Sequence, residues 1–176
     1  MPVRIAPPAA NEYIAYYGKY IALVGGDDAL PPMERQLADS LALLAALDDK
    51  RALHRYAEGK WSVKEVVGHL ADGERIFACR ALRFAREDMT PLPGFEENEY
   101  VPAGRFDRMP LADLLDQWKA IRAASITLFR SLDERALGQS GKANDSPVTP
   151  RALAWIICGH ELHHRAILRD RYGLGA

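Results

Sequence analysis

Apolar residues recur along most of this chain at intervals of three and four, the spacing that lines one face of an α-helix. Leu37, Leu41, Leu44 and Leu47 keep that step and predict a first long helix from about Pro32 to Leu47. A second starts at Ser62-Val63-Lys64-Glu65, where Ser62 and Glu65 form a capping box that satisfies free backbone N–H groups. It continues through Val66, Leu70, Phe77 and Ala81 to about Arg86. The third follows Pro110 and carries Leu111, Leu114, Leu115, Trp118, Ile121, Ile126 and Phe129 to about Leu132. The fourth opens at Thr149-Pro150, an N-cap followed by proline at the first helical position, and reaches about Arg171. Between the second and third, Glu87 to Met109 holds Pro91, Pro93, Gly94, Pro102 and Gly104 without a sustained period, so it reads as a long loop. A second loop, rich in Gly, Asn, Ser and Pro, precedes Thr149, and strand signals are weak throughout. Tyr13, Tyr16, Tyr17 and Tyr20 share helical spacing and predict a short helix in an N-terminal arm, residues 1–30, laid across the rest. The expected class is all-α, a four-helix bundle in a single domain spanning residues 1–176.

Composition narrows the function classes. With 176 residues, 48% hydrophobic and 27% charged, the chain can bury a sizeable core. Its net charge of −1 and the lack of any block of like charges disfavour a nucleic-acid or anionic-membrane partner. No apolar run reaches the roughly 18 residues of a membrane span and the N-terminus lacks a signal-peptide core, so a cytoplasmic address and a small-molecule partner are expected. Cys79 and Cys158 are expected to be buried free thiols in a reducing compartment.

Chemistry concentrates in the histidines. His160 and His164 are four apart on the fourth helix and continue the stripe of Leu153, Ile156 and Ile157, so both rings can reach one ion. His69, on the second helix with Val66, Gly73 and Ile76, is the natural third ligand, and Gly73 leaves space beside it. His163 is a substitute for His164, although neighbouring residues point about 100° apart and only one of them can ligate. His54 falls in a polar connection and reads as a surface residue. Three neutral imidazoles suit Zn, Ni, Fe or Cu and leave positions open for water and substrate. A hydrogen-bonded core role is the bland alternative for any one of these rings.

The ligand positions also constrain the path of the chain. His69 lies near the start of its helix and His164 near the end of its own, so the rings share one level only if those helices run antiparallel. Parallel helices would offset them by about 6 to 10 Å at 1.5 Å per residue. Antiparallel second and fourth helices require an up-down-down-up order, for which the stretch from Glu87 to Met109 is a long enough connection.

His160-Glu161-Leu162-His163-His164 matches the H-E-x-x-H zinc-protease motif, with Glu161 in the place of the general base. The extended form fails, because Ile167 stands where glycine belongs and Asp170 where the third histidine belongs. A di-iron carboxylate bundle needs two E-x-x-H motifs, and Glu161 to His164 is the only one. Glu161 therefore stays a weak acid/base candidate with a surface or supporting role favoured, and no catalytic residue is assigned. Trp61 and the aromatic arm are candidates for the wall of a pocket mouth, and the loop Phe95 to Tyr100 for substrate contacts. Arg165, Arg169 and Arg171 suit the C-terminal end of a helix dipole, with an anionic cofactor as the functional alternative.

Two segments, Trp61-Ser62-Val63-Lys64-Glu65-Val66-Val67-Gly68-His69-Leu70-Ala71-Asp72 and Gly159-His160-Glu161-Leu162-His163-His164, resemble the signature segments of the DinB/YfiT-like superfamily. The stretches Pro93 to Tyr100 and Tyr16 to Ile21 resemble its DinB-like branch, so the likeness covers nearly the whole chain. The resemblance implies an up-down-down-up four-helix bundle, His69, His160 and His164 as ligands of a divalent metal, commonly Zn or Ni, and often a homodimer. It also implies a metal-dependent enzyme, either an S-transferase or isomerase using a low-molecular-weight thiol such as bacillithiol, mycothiol or glutathione, or a hydrolase. A non-enzymatic metal-binding stress-response bundle is the competing class.

Overall fold

The computed structural model describes residues 4–175, and four long helices carry nearly half of them. A 3-10 turn at Ala15–Tyr17 leads into the single turn α1 (Gly18–Ile21), followed by α2 (Leu30–Leu44), α3 (Val63–Ala85) and α4 (Glu97–Gly104). The chain continues with α5 (Leu111–Arg130), α6 (Glu134–Leu137), the strands β1 (Gly141–Ala143) and β2 (Ser146–Val148), and α7 (Pro150–Asp170).

The long helices begin where side chains close free N–H groups. Ser62 Oγ accepts from the Glu65 N–H at 3.0 Å and Glu65 Oε2 accepts from the Ser62 N–H at 2.8 Å, the expected box at the head of α3. Thr149 Oγ1 accepts from the Ala152 N–H at 3.1 Å at the head of α7. α2 starts at Leu30, ahead of the expected Pro32, because both prolines fit its first turn and Asp28 Oδ1 accepts from the Leu30 N–H at 3.1 Å. It stops at Leu44, short of Leu47.

Two stretches expected as loops carry structure. Inside Glu87 to Met109 lie α4 and a 3-10 turn at Phe106–Arg108. Val101 and Phe106 are buried with Val63, Val66 and Val67, and this burial outweighs the helix-breaking tendency of Pro102 and Gly104. Gly68 permits the contact, since a Cβ there would stand 2.4 Å from the Phe106 ring. The stretch before Thr149 is an antiparallel hairpin pairing Gly141 with Val148. Its turn residues Asn144 and Asp145 both have positive φ, 49° and 57°, as a tight two-residue hairpin turn demands. The Leu92 N–H donates to the Lys142 carbonyl at 2.9 Å, tying the long connection to the hairpin.

Contacts between helices form ladders. Along α3 and α7 they step in opposite senses: the Trp61 carbonyl accepts from Tyr172 Oη at 2.6 Å, the His69 and His164 rings lie 4.9 Å apart, and Gly73 abuts His160. Along α3 and α5 they step together, from Lys64 donating to the Met109 carbonyl at 2.7 Å to Glu74 meeting Arg122 at 2.8 Å. Apolar side chains fill two groups, one around Phe77, Phe84, Phe129 and Trp155, the other around Val66, Leu70, Trp118 and Leu168. Cys158 is buried and free, but Cys79 is exposed, correcting the expectation of two buried thiols. Two residues, or about 200°, separate it from the inward Phe77. No helix among the described residues is long and apolar enough to cross a membrane.

Candidate metal centre

His69 sits in the second turn of α3, His160 stands at the middle of α7 and His164 one turn further on. The opposite sense of those two helices brings the rings together. Ring centroids lie 4.8 Å apart for His69 and His160, 4.9 Å for His69 and His164, and 4.6 Å for His160 and His164. Nε2 of His69 is 3.0 Å from Nε2 of His160, and one nitrogen from each of the three rings falls within 4.8 Å of the others. Nitrogens held at about 2.0–2.1 Å by one tetrahedral ion stand roughly 3.3 Å apart, so small ring rotations suffice to close this cluster on an ion.

Two glycines seat the cluster. A Cβ on Gly73 would meet His160 Cε1 at 3.3 Å, so the space this glycine opens is taken by the His160 ring. A Cβ on Gly159 would stand 2.0 Å from the Tyr20 carbonyl oxygen, and its absence lets the backbone of α1 lie on α7. The Tyr20 ring then packs edge-on to His160 at 5.5 Å and to His163 at 5.3 Å. Trp61 covers the other side, 4.8 Å from His69 and 6.5 Å from His164 between centroids. His163 is half-buried and stands outside the group of three, while His54 is exposed beside Tyr172.

Burial decides the charge state. It pushes the His69 imidazole down to about 4, with His163 adding to the shift, and it holds His160 and His164 well below the ordinary histidine value, helped by the neighbouring rings. All three rings are therefore neutral near pH 7, the form that has a lone pair to give to an ion.

Of the surface and supporting roles favoured for Glu161, the structure gives the supporting one. It is 1% exposed and points into the bundle rather than to the surface or the cavity. Ser40 Oγ donates to its Oε1 at 2.6 Å and Arg122 Nη1 lies 2.8 Å from its Oε2. Arg122 also reaches Glu74 through Nε at 2.8 Å and Nη2 at 2.9 Å, and Trp118 Nε1 donates to the same carboxylate at 3.3 Å. Ser40, Glu74, Arg122 and Glu161 come one each from α2, α3, α5 and α7. The sequence reading missed the first three, although Arg122 interrupts an apolar stripe running Leu111, Leu114, Trp118 and Phe129 at a core position.

The three rings open onto a cavity of about 650 Å³, walled by Tyr16, Tyr17 and Tyr20 of the arm, Trp61, Phe77 and Phe95. Of the loop Phe95 to Tyr100, residues Phe95, Glu96 and Glu97 face this space, and Asn144 of the hairpin turn joins them. Arg165 pairs with Asp39 at 3.1 Å, and Arg169 and Arg171 are exposed, so none of the three enters it.

Sequence comparison places this geometry in a family. The model of the DinB superfamily matches residues 33–168, a span that holds all three histidines. The chain belongs to the DinB superfamily. A relative from Geobacillus thermodenitrificans, named "putative metal-dependent hydrolase", is 29% identical over 147 residues, 79% of this chain and 82% of its own length. Among solved structures, YfiT from Bacillus subtilis, described as a four-helix bundle of unusual topology, superposes with a TM-score of 0.73 at 19% identity. That match covers 94% of this chain and 93% of YfiT. A mycothiol-dependent maleylpyruvate isomerase superposes with a TM-score of 0.67 at 16% identity over 84% of this chain and 60% of the isomerase. DinB membership and the helical-bundle fold are thus established together, as the two signature segments implied.

Proposed function

We propose that this DinB-superfamily protein is a metal-dependent hydrolase whose divalent ion, Zn or Ni, is held by His69, His160 and His164. The observation that carries the reading is the convergence of three neutral, buried imidazoles on one side of an aromatic-walled cavity. The contact ladders, with α3 and α5 running together and α7 against them, support the down-down-up part of an up-down-down-up order and set the histidines of α3 and α7 at one level. Relatives named for metal-dependent hydrolysis support the reaction class.

A divalent ion in such a shell supplies Lewis acidity and lowers the pKa of a bound water or thiol. The chain's own part is placement. Gly73 and Gly159 let His160 and Tyr20 close in, Trp61 and Tyr20 shield the rings from bulk water, and the buried carboxylate of Glu161 anchors the α7 turn that carries His160. With Glu161 committed to Arg122, no carboxylate of this motif is free to act as the protease-type base.

A thiol-dependent S-transferase of cytoplasmic address, working as a homodimer, is the second reading, favoured by the size of the cavity beside the rings. Elemental analysis of purified protein should find about one divalent ion per chain, and His160→Ala should remove it. Ester and amide substrates, and electrophiles offered with bacillithiol, mycothiol or glutathione, separate the two enzymes, and turnover should stop with a chelator. Stoichiometric metal retained by His160→Ala overturns the ligand assignment; full metal without turnover of any kind favours a binding bundle instead.

A further inference from the structure

Arg80 lies on the same face of α3 as His69. Eleven residues separate them, about 1100° of rotation or three turns and 20°, so their Cα atoms stand about 16 Å apart along one side of the helix. Side chains lean toward the N-terminus of their helix, so Arg80 leans back toward the imidazoles, and both residues line the same cavity.

Four cations are buried among the described residues: Lys64, Arg80, Arg122 and Arg151. Lys64 pairs with Asp49 at 2.6 Å, Arg122 with Glu74 and Glu161, and Arg151 with Glu12 and Glu134. Arg80, 5% exposed, has no carboxylate oxygen within 4.0 Å among the described residues. Its contacts are neutral: Nη2 donates to the Pro93 carbonyl at 2.8 Å, the Tyr17 phenol adjoins it, and the Phe95 ring lies 5.7 Å away. A guanidinium stays charged and offers five N–H donors, and a buried charge is costly unless an opposite charge meets it.

We propose that Arg80 is a binding residue that receives a carboxylate of the molecule entering this cavity, whose reacting group lies at the three-imidazole end. The inference deepens the metal-dependent reading and rests on it only for the position of the reacting end. One uncompensated charge on a planar fork suits a carboxylate held by two parallel hydrogen bonds. A dianionic phosphate fits less well: the cavity's other cation, Lys19, is already over the Tyr16 and Tyr20 rings at 4.1 and 4.8 Å, and Glu96 and Glu97 line the same cavity, repelling a dianion more than a single charge. Between the two ends the walls are aromatic, with Phe77 6.1 Å from the His160 ring and 6.2 and 6.3 Å from those of Tyr17 and Phe95, so the carboxylate is joined to the reacting group through an apolar segment.

The test compares 3-phenylpropanoate with 3-phenylpropanamide and phenethyl phosphate by calorimetry on the full chain, metal-loaded and chelator-treated. The carboxylate should bind at least about tenfold more tightly than the amide in both states. Arg80→Gln, checked for folding by circular dichroism, should abolish that preference, Arg80→Lys should keep part of it, and His160→Ala should leave it intact. The preference in the unaltered protein needs no variant to be read. Equal binding of acid and amide, no saturable binding of the acid, tighter binding of the phosphate, or a preference surviving Arg80→Gln overturns the proposal. A preference that disappears with the chelator also overturns it, because the carboxylate then sits on the ion. Absence of stoichiometric metal with the preference retained instead defeats the hydrolase reading alone.

Discussion

Gly73 sets stability and metal affinity against each other at a single residue. In the middle of α3 a glycine costs about 1 kcal/mol relative to alanine, so Gly73→Ala should stabilise the metal-free protein by up to about that much. The new Cβ, however, would stand 3.3 Å from His160 Cε1, and the ring must yield by a few tenths of an ångström. That displacement is of the kind that costs a metal site about tenfold in affinity when a supporting contact is disturbed. Chemical denaturation of the apo variant and a competitive zinc titration should therefore move in opposite directions. A variant that gains stability and keeps full affinity would show that His160 reaches the ion from another position. The histidines themselves were legible because spacing of four on a helix is visible in a sequence. The part of Gly73 was only half legible, since a missing side chain does not announce which neighbour fills the gap.

Among the elements, the four long helices are joined by a polar network as well as by apolar packing. Arg122 of α5 holds Glu74 of α3 and Glu161 of α7, and Ser40 of α2 donates to the latter. Removing the only cation leaves two buried carboxylates unpaired, so Arg122→Met should cost about 3–5 kcal/mol in urea denaturation. Adding Glu74→Gln to that variant should restore part of the loss, and if the single change is neutral the network contributes nothing to holding the helices. The network explains why element-level reading succeeded and failed where it did. Helix starts such as Ser62 to Glu65 and Thr149-Pro150 were legible because capping is a local interaction. Glu161 was left between the surface and a supporting role because its partners are 39 and 121 residues away, at Arg122 and Ser40. α4 was read as loop because its stability comes from burying Val101 and Phe106 on α3, which outweighs the local signals of Pro102 and Gly104.

For the whole molecule, the proposed metal site makes protons and metal competitors for the same three rings, and the sign of the pH dependence follows. His69 titrates at about 4 in the folded chain against an unfolded value of 6.5, and His160 and His164 are likewise lowered. Below pH 6.5 the unfolded chain takes up protons on these histidines while the folded chain does not, so stability is complete above 6.5 and is lost as the pH falls toward the folded values. His69 alone accounts for on the order of 3 kcal/mol across that interval. Carboxylates such as Asp88, held at about 2 by Arg83 and Thr90, titrate lower and leave the range from pH 6.5 to 5 to the histidines. An ion bound only by the folded chain adds about 2.7 kcal/mol at a free concentration 100 times its Kd, and that increment shrinks only as the pH nears the folded value of His69, about 4, where protonation of the ring weakens binding. Melting temperatures measured from pH 8 to 4, with zinc and with chelator, should therefore form two curves that fall together below pH 6.5, keep their gap down to about pH 5, and draw together only as the pH nears 4. In His160→Ala the gap between the curves should be absent and the shared slope shallower, since one lowered histidine is gone. A gap that already closes between pH 6.5 and 5 would place the ion on ligands that titrate in that range, outside the three buried histidines.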